Sequence, residues 1–454
     1  MRFISYNNFA LLRLIIILQF AILLIYLNAN IIVVGGVGVA LYLLVGFLSL
    51  TSLLFANFFA NKRLYFNIHF FFFLLLVCWV SFRIIIDISD LEFLKQLTVA
   101  TTGGILLFYI IGSSLGLTKH SVISLRNDII IEKSTILIYF FLSIWMLYNF
   151  YHRLHDSLFY LKDVDGGYQR PGNLLSISFI IISFAYLNLV LKYIAQVTTI
   201  LARFLWFSVY TLSTLMALVG AQLFGSNSAT AVILGVYLIT LVMSLVTAKK
   251  TVWLSYLKHK LALPWSKRLM KNLSLMALIG LAILLGVLVL IISMTGFDIT
   301  SLRLLGFGSG FGSVSSSYSS LLSRVDILLE TGANQLSYAP FFGNMNVAYL
   351  TTGNTGQTIH SFFPYVMANL GLVGLMIVLA LFTSVLLQLY RETKQVMYTG
   401  LYSYQLNMIA LYSIFVLLYI LFFANLATGV EWPVLWFTLG FISKPFGFKN
   451  EKNS

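Results

Sequence analysis

The chain has 454 residues, of which 60% are hydrophobic and only 9% charged, and its mean hydropathy is +0.94. Soluble globular proteins carry charge on roughly a quarter of their residues, so this composition excludes a soluble fold and predicts a polytopic membrane protein. The net charge of +14 needs no nucleic-acid partner once it is read as an inner-face membrane signal, and the one cysteine, Cys78 in an apolar run, excludes a disulfide framework or a thiol-rich metal site.

Apolar runs of about 20 residues, the length that crosses a bilayer, lie near residues 9–28, 31–58, 65–86, 97–117, 134–151, 173–191, 204–223, 229–248, 273–296, 361–388, 403–423 and 428–443. They predict an all-α polytopic membrane protein with about twelve transmembrane helices. Both termini are expected to be cytoplasmic, and residues 1–454 form a single integral membrane domain. The second and tenth runs are long enough to tilt or kink. Arg2 and Arg13 precede the first run without a clean small-residue cleavage site, so that span is expected to be retained. In this orientation the inner loops hold 21 of the 28 basic residues and the outer loops ten of the 14 acidic ones, with Arg83 among the outer charges.

Three loops stand out: an outer loop over 152–172, a basic cytoplasmic loop over 249–271 and a long outer loop over 298–360. The basic loop reads as a topology signal or as an amphipathic helix on the inner leaflet. GxxxxGK[ST], CxxC and HExxH are absent, which excludes a P-loop ATPase and a zincin-type metalloprotease. The patch GFGSGFGSVSSSYSS has no lysine and reads as a flexible connector. No metal and no cofactor is expected.

Charge on the outer loops narrows the chemistry. Arg170 precedes Pro171 at the start of the sixth span, where free N–H groups and a guanidinium fork suit phosphate oxygens. Its plainer role is snorkelling to headgroups. SSYSSLLSRVDILLETG predicts a short amphipathic helix capped by Ser319 or Ser320, striped by Leu321, Val325 and Leu328, and ended by Gly332. Arg324 flanks that stripe at headgroup depth, with pairing to Asp326 or Glu330 as the alternative. His360 stands at the mouth of the tenth span, ahead of Pro364, and can take a proton at neutral pH. Two cationic clamps and one base are what a metal-independent attack on a lipid-diphosphate sugar requires. Arg303, Asp156 and Glu431 are additional candidates for the same cavity, with His152 and His155 in less specific positions.

The order of short motifs resembles the bacterial O-antigen polymerase and O-antigen ligase superfamily. The residues that carry the resemblance are Arg170, Gly172 and Asn173 at one span start and GSNSAT at 225–230. They continue with Arg324, Pro340, Gly343, His360, Ser361, Gly371 and Gly374 around and after the long loop. The family often has a basic residue where this chain has Asn227. The resemblance implies that Arg170 and Arg324 hold the undecaprenyl diphosphate of a glycan donor and that His360 activates the acceptor hydroxyl.

The expectation that follows is a surface-polysaccharide polymerase in the bacterial inner membrane. Its partners would be undecaprenyl-diphosphate-linked donor and acceptor glycans, membrane lipid, a chain-length regulator and a flippase. A ligase that moves the glycan to lipid A core is the nearest alternative. A flippase or other transporter is the alternative of another class, and it would be expected to carry charges within its spans. The sequence places nearly all charges in loops.

Overall fold

The computed structural model describes residues 62–87, 105–124, 129–153, 169–195, 200–223, 226–258, 339–345, 361–395, 400–427, 432–443 and 446–450, together with Ile17, Leu18, Ala21 and Leu24. Among these, the elements in chain order are β1 (Lys62–Phe66), α1 (Ile68–Asp87), α2 (Leu106–Ser124), α3 (Ile130–Arg153), α4 (Gln169–Ala195), α5 (Ile200–Leu223), α6 (Asn227–Lys258), α7 (Phe362–Gln395), α8 (Gly400–Ala427), α9 (Pro433–Ile442) and β2 (Phe446–Asn450). Six helices, α1, α4, α5, α6, α7 and α8, are long and apolar enough to cross a membrane, so the chain is a multi-pass helical membrane protein. The predicted runs 31–58 and 273–296, most of 9–28, and the amphipathic helix around Arg324 lie outside the described residues.

Several boundaries differ from expectation for physical reasons. The twelfth predicted span contains α9, ten residues or about 15 Å of helix, which is half the hydrocarbon thickness. Residues Val434–Ile442 are all buried within the protein, so α9 is a core helix. The start of the predicted basic loop is helix, because α6 runs on through Lys249 and Lys250 to Lys258, and the rest of that loop lies outside the described residues. α7 has 34 residues and is interrupted at Gly371, whose φ of +66° and ψ of −166° no helix contains. The kink expected of the tenth span is therefore a break at a glycine.

The chain divides into two compact units. The first, comprising Met1–Val37, Val122–Ser313 and Thr393–Tyr412, is built round α4, whose Gly172–Tyr193 stretch is almost wholly buried, while less than half of the apolar stretches of α5 and α6 is. Small residues on α4 allow this: Ser176 and Ser178 return their hydroxyls to the carbonyls of Gly172 and Leu174 and leave the helix free to be surrounded. Tyr186 stacks on Tyr210 at 4.2 Å, Tyr210 shares a hydroxyl hydrogen bond with Ser183 (2.8 Å), and Thr240 pairs with the Tyr412 hydroxyl (2.8 Å).

Charge is buried here as well. Lys192 Nζ lies 2.8 Å from Glu132 Oε1, and Asn188 donates to the same carboxylate, with Lys192 1% and Glu132 2% exposed. Lys192 is in the last turn of α4 and Glu132 in the first turn of α3, where each charge opposes the local partial charge of its helix. Both lie just outside the predicted spans 173–191 and 134–151, and their pairing across 60 residues leaves no local trace in the sequence.

The second unit comprises Gly38–Ser121, Val314–Glu392 and Ser413–Ser454. Phe73 of α1 stacks on Tyr109 of α2 at 3.6 Å, and α2 crosses α9 at backbone distance because a β-carbon on Gly112 or Gly116 would overlap the carbonyls of Phe437 and Phe441. At the His69 end of α1, His69 Nδ1 and Ser384 Oγ of α7 share a hydrogen bond of 3.1 Å. β1 and β2 pair antiparallel, Lys62 opposite Asn450 and Phe66 opposite Phe446, a small addition to the expected all-α fold.

Candidate functional site

In the first unit, two motifs that lie over fifty residues apart in the chain meet at helix starts. α4 begins at Gln169, so Arg170 and Pro171 occupy its first turn, where the missing proline N–H costs nothing. Ser226 precedes α6 and acts as its cap: the Ser226 Oγ accepts the Ala229 N–H at 3.3 Å, and its carbonyl accepts the Thr230 N–H at 3.1 Å. The Ser226 N–H donates to the Ala221 carbonyl (2.9 Å), which ties the end of α5 to the start of α6. Ser226 is 1% exposed because it sits on Gly172: a β-carbon there would stand 2.7 Å from Ser226 Cβ and 3.2 Å from Ala229 Cβ. Glycine is required by this approach, which brings the N-termini of α4 and α6 together. Both ends carry the partial positive charge of a helix start, a setting that suits an anion.

A second arrangement, in the second unit, joins α1, α7 and the segment Ala339–Met345. Gly371 breaks α7, and the segment fills the break: the N–H groups of Leu372 and Val373 donate to the carbonyls of Pro340 (2.9 Å) and Phe341 (3.1 Å), while the Asn344 N–H donates to Ala368 O (3.0 Å). Gly343 and Gly371, at φ +71° and +66°, face each other across this contact, and a side chain on either would strike the other's backbone. Arg83 of α1 closes the arrangement. Its Nη2 donates to Asp87 Oδ1 (2.5 Å), to Asp87 Oδ2 (2.6 Å) and to Gly343 O (2.8 Å), and Asp87 Oδ2 accepts the Met345 N–H (2.9 Å). Trp79 Nε1 donates to Leu370 O (3.0 Å), the last carbonyl before the break.

Arg83, one of the charges expected at the outer face, is thus 9% exposed and bonded within the protein. The signal available was RIIID, an Arg–Asp pair at i,i+4 near the end of an apolar run. Asn425 of α8 gave no signal. It fixes the entry to α7: Ser361 Oγ donates to Asn425 O (2.8 Å), the Phe363 N–H donates to Asn425 Oδ1 (2.9 Å), and Asn425 Nδ2 donates to Leu421 O (2.8 Å). Ser361 is fully buried and is the residue that follows His360.

Of the residues predicted for the site, Arg170 is placed by its backbone in the first turn of α4. His360, Arg324, Arg303, Asp156 and Glu431 lie outside the described residues, flanked in two cases by the described Ser361 and Trp432. The motifs brought together are those of Gly172 and Ser226 in one unit and of Pro340, Gly343 and Gly371 in the other. No family model, no curated protein and no solved structure matches the chain, so its class stands as a multi-pass helical membrane protein.

Proposed function

We propose that this protein is a glycosyltransferase that polymerises undecaprenyl-diphosphate-linked glycan repeat units at the outer face of a bacterial inner membrane, without a metal. The observation that carries the reading is the meeting of the Arg170 helix start with the capped start of α6 at Gly172 and Ser226, which gathers donors suited to a diphosphate. An acceptor sugar hydroxyl attacks C1 of the donor, the C1–O bond to the diphosphate breaks, and His360 takes the hydroxyl proton. Arg170 and Arg324 hold the charge that develops on the leaving diphosphate. A single displacement inverts C1.

Discontinuous helices also occur in transporters, where the half-helix start faces the substrate. Here the amides after Gly371 are spent on Pro340 and Phe341, which favours a structural break over a transport site.

The test is a glycan ladder from a deletion strain complemented with wild type or with His360→Ala. A single repeat unit on core in the deletion strain, restored to a ladder by wild type alone, is the expected result. His360→Ala is expected to lose roughly 10²-fold or more in turnover at normal protein level. Normal chain length in that strain would overturn the role of His360. Bare core with long chains on the carrier lipid would make the protein a ligase, and repeat units trapped at the inner face would make it a transporter.

A further inference from the structure

The segment Pro340–Gly343 falls in a loop expected to lie in water, yet its bonding places it beside the body of a transmembrane helix. α1 has 20 residues, about 30 Å, which matches the hydrocarbon thickness. Arg83, which holds Gly343 O, lies four residues inside the Asp87 end of that helix, about 6 Å along the axis. Trp79, whose ring is 6.0 Å from that of Phe342 and whose Nε1 holds Leu370 O, lies eight residues inside, about 12 Å. The segment therefore descends alongside the last two turns of the span.

Two further features belong to a chain at that depth. Irregular backbone persists in a bilayer only where protein satisfies its polar groups. The carbonyls of Pro340, Phe341 and Gly343 are taken by Leu372, Val373 and Arg83, the Gly343 N–H is taken by Ala339 O, and Pro340 has no N–H to satisfy, which leaves the Phe341 N–H and the Phe342 N–H and carbonyl at the tip to the lipid ester and headgroup zone. The side chains at the tip point the other way: Phe341 is 63% and Phe342 58% exposed. They continue the lipid-facing surface of α1, where Phe82, Ile85 and Ile86 are exposed and the Phe82 ring lies 5.7 Å from Trp79.

We propose that Pro340–Gly343 is a re-entrant wedge, held by Arg83 and by the break at Gly371, whose Phe341 and Phe342 side chains insert among the acyl chains of the leaflet at the Asp87 end of α1. The partner is the lipid hydrocarbon itself, and the wedge stands whether or not the chain is a glycosyltransferase. Its consequence is that the long loop has a fixed point at the membrane, to which the segments on either side are tethered.

The test uses the full chain with Cys78→Ala and a single new thiol, Phe341→Cys or Phe342→Cys, nitroxide-labelled and reconstituted in phosphatidylethanolamine and phosphatidylglycerol vesicles. Phe82→Cys serves as the reference for a lipid-facing position. Collision with oxygen is expected to exceed collision with a water-soluble nickel chelate at both tip positions, with the chelate excluded to the extent seen at Phe82→Cys. Chelate collision at the tip equal to that of a free nitroxide in water would overturn the wedge. A second measurement keeps the aromatic bulk: p-benzoylphenylalanine at position 342 is expected to form adducts with acyl chains on irradiation. Irradiation that yields no lipid adduct would overturn the wedge.

Discussion

The Gly172–Ser226 contact and the Gly343–Gly371 contact are both close approaches at a glycine, but they join different things. At the first, two helices start side by side, and Ser226 takes the Ala229 N–H for its own helix, so two positive helix ends lie together. At the second, a helix restarts after Gly371 and its first N–H groups close on Pro340 and Phe341, with Arg83 neutralised by Asp87. One arrangement is suited to an anionic ligand. The other is self-satisfied and suited to holding a loop in place. The difference teaches that two helix ends brought together gather positive potential, whereas a broken helix whose amides close on a neighbouring segment holds that segment in place.

The largest effect is expected where charge is buried in the self-satisfied arrangement. Arg83→Met strands Asp87 and Gly343 O in a buried site and should cost about 3–5 kcal/mol, the usual penalty for removing one partner of a buried pair. Thermal unfolding in detergent would show a large fall, and Arg83→Met with Asp87→Leu should recover part of it, because no lone charge remains. A single substitution with no measurable destabilisation would mean that the Arg83 clasp does not hold the loop.

Next comes the ligand-suited arrangement. Gly172→Leu forces α4 away from Ser226 and Ala229 and should cost about 1–3 kcal/mol as overpacking. Sharpening the contrast, the glycan ladder should shorten in this strain while protein level stays near wild type, since the donors of the two helix starts no longer converge. An unaltered ladder beside a measured loss of stability would separate this contact from function.

These contrasts also explain what the sequence revealed. Helices α1 and α4–α8 were legible because lipid demands about 20 apolar residues per crossing, a local property. Arg170 at a helix start was legible from Pro171, which is local chemistry, whereas GSNSAT entered only through the family resemblance and its Ser226 cap is a finding of the structure. The meeting of Gly172 with Ser226, and of Arg83 with Gly343 260 residues away, is long-range packing that no local pattern encodes. Arg83 counts among the outer charges from its place near a span end, and its carbonyl partner far along the chain leaves no local trace. His360 and Arg324 rest on motif order, and only the Ser361 anchor beside His360 is described.

The smallest expected effect is also the most discriminating. Ser226→Ala removes the cap on α6 and should cost about 1 kcal/mol. Asn and Asp cap about equally well and have nearly the same shape, so Ser226→Asn and Ser226→Asp meet Gly172 with the same bulk and strain the packing alike. They differ in one respect, the charge placed between the two helix starts. A negative charge there gains from the helix dipoles but loses hydration at a position 1% exposed, and it repels a diphosphate bound beside it. With the two variants compared at equal protein level, the Asp variant should fall below the Asn variant in chain length on the ladder. Equal ladders from the two variants would mean that no anion is bound at this corner, whatever reaction the chain performs.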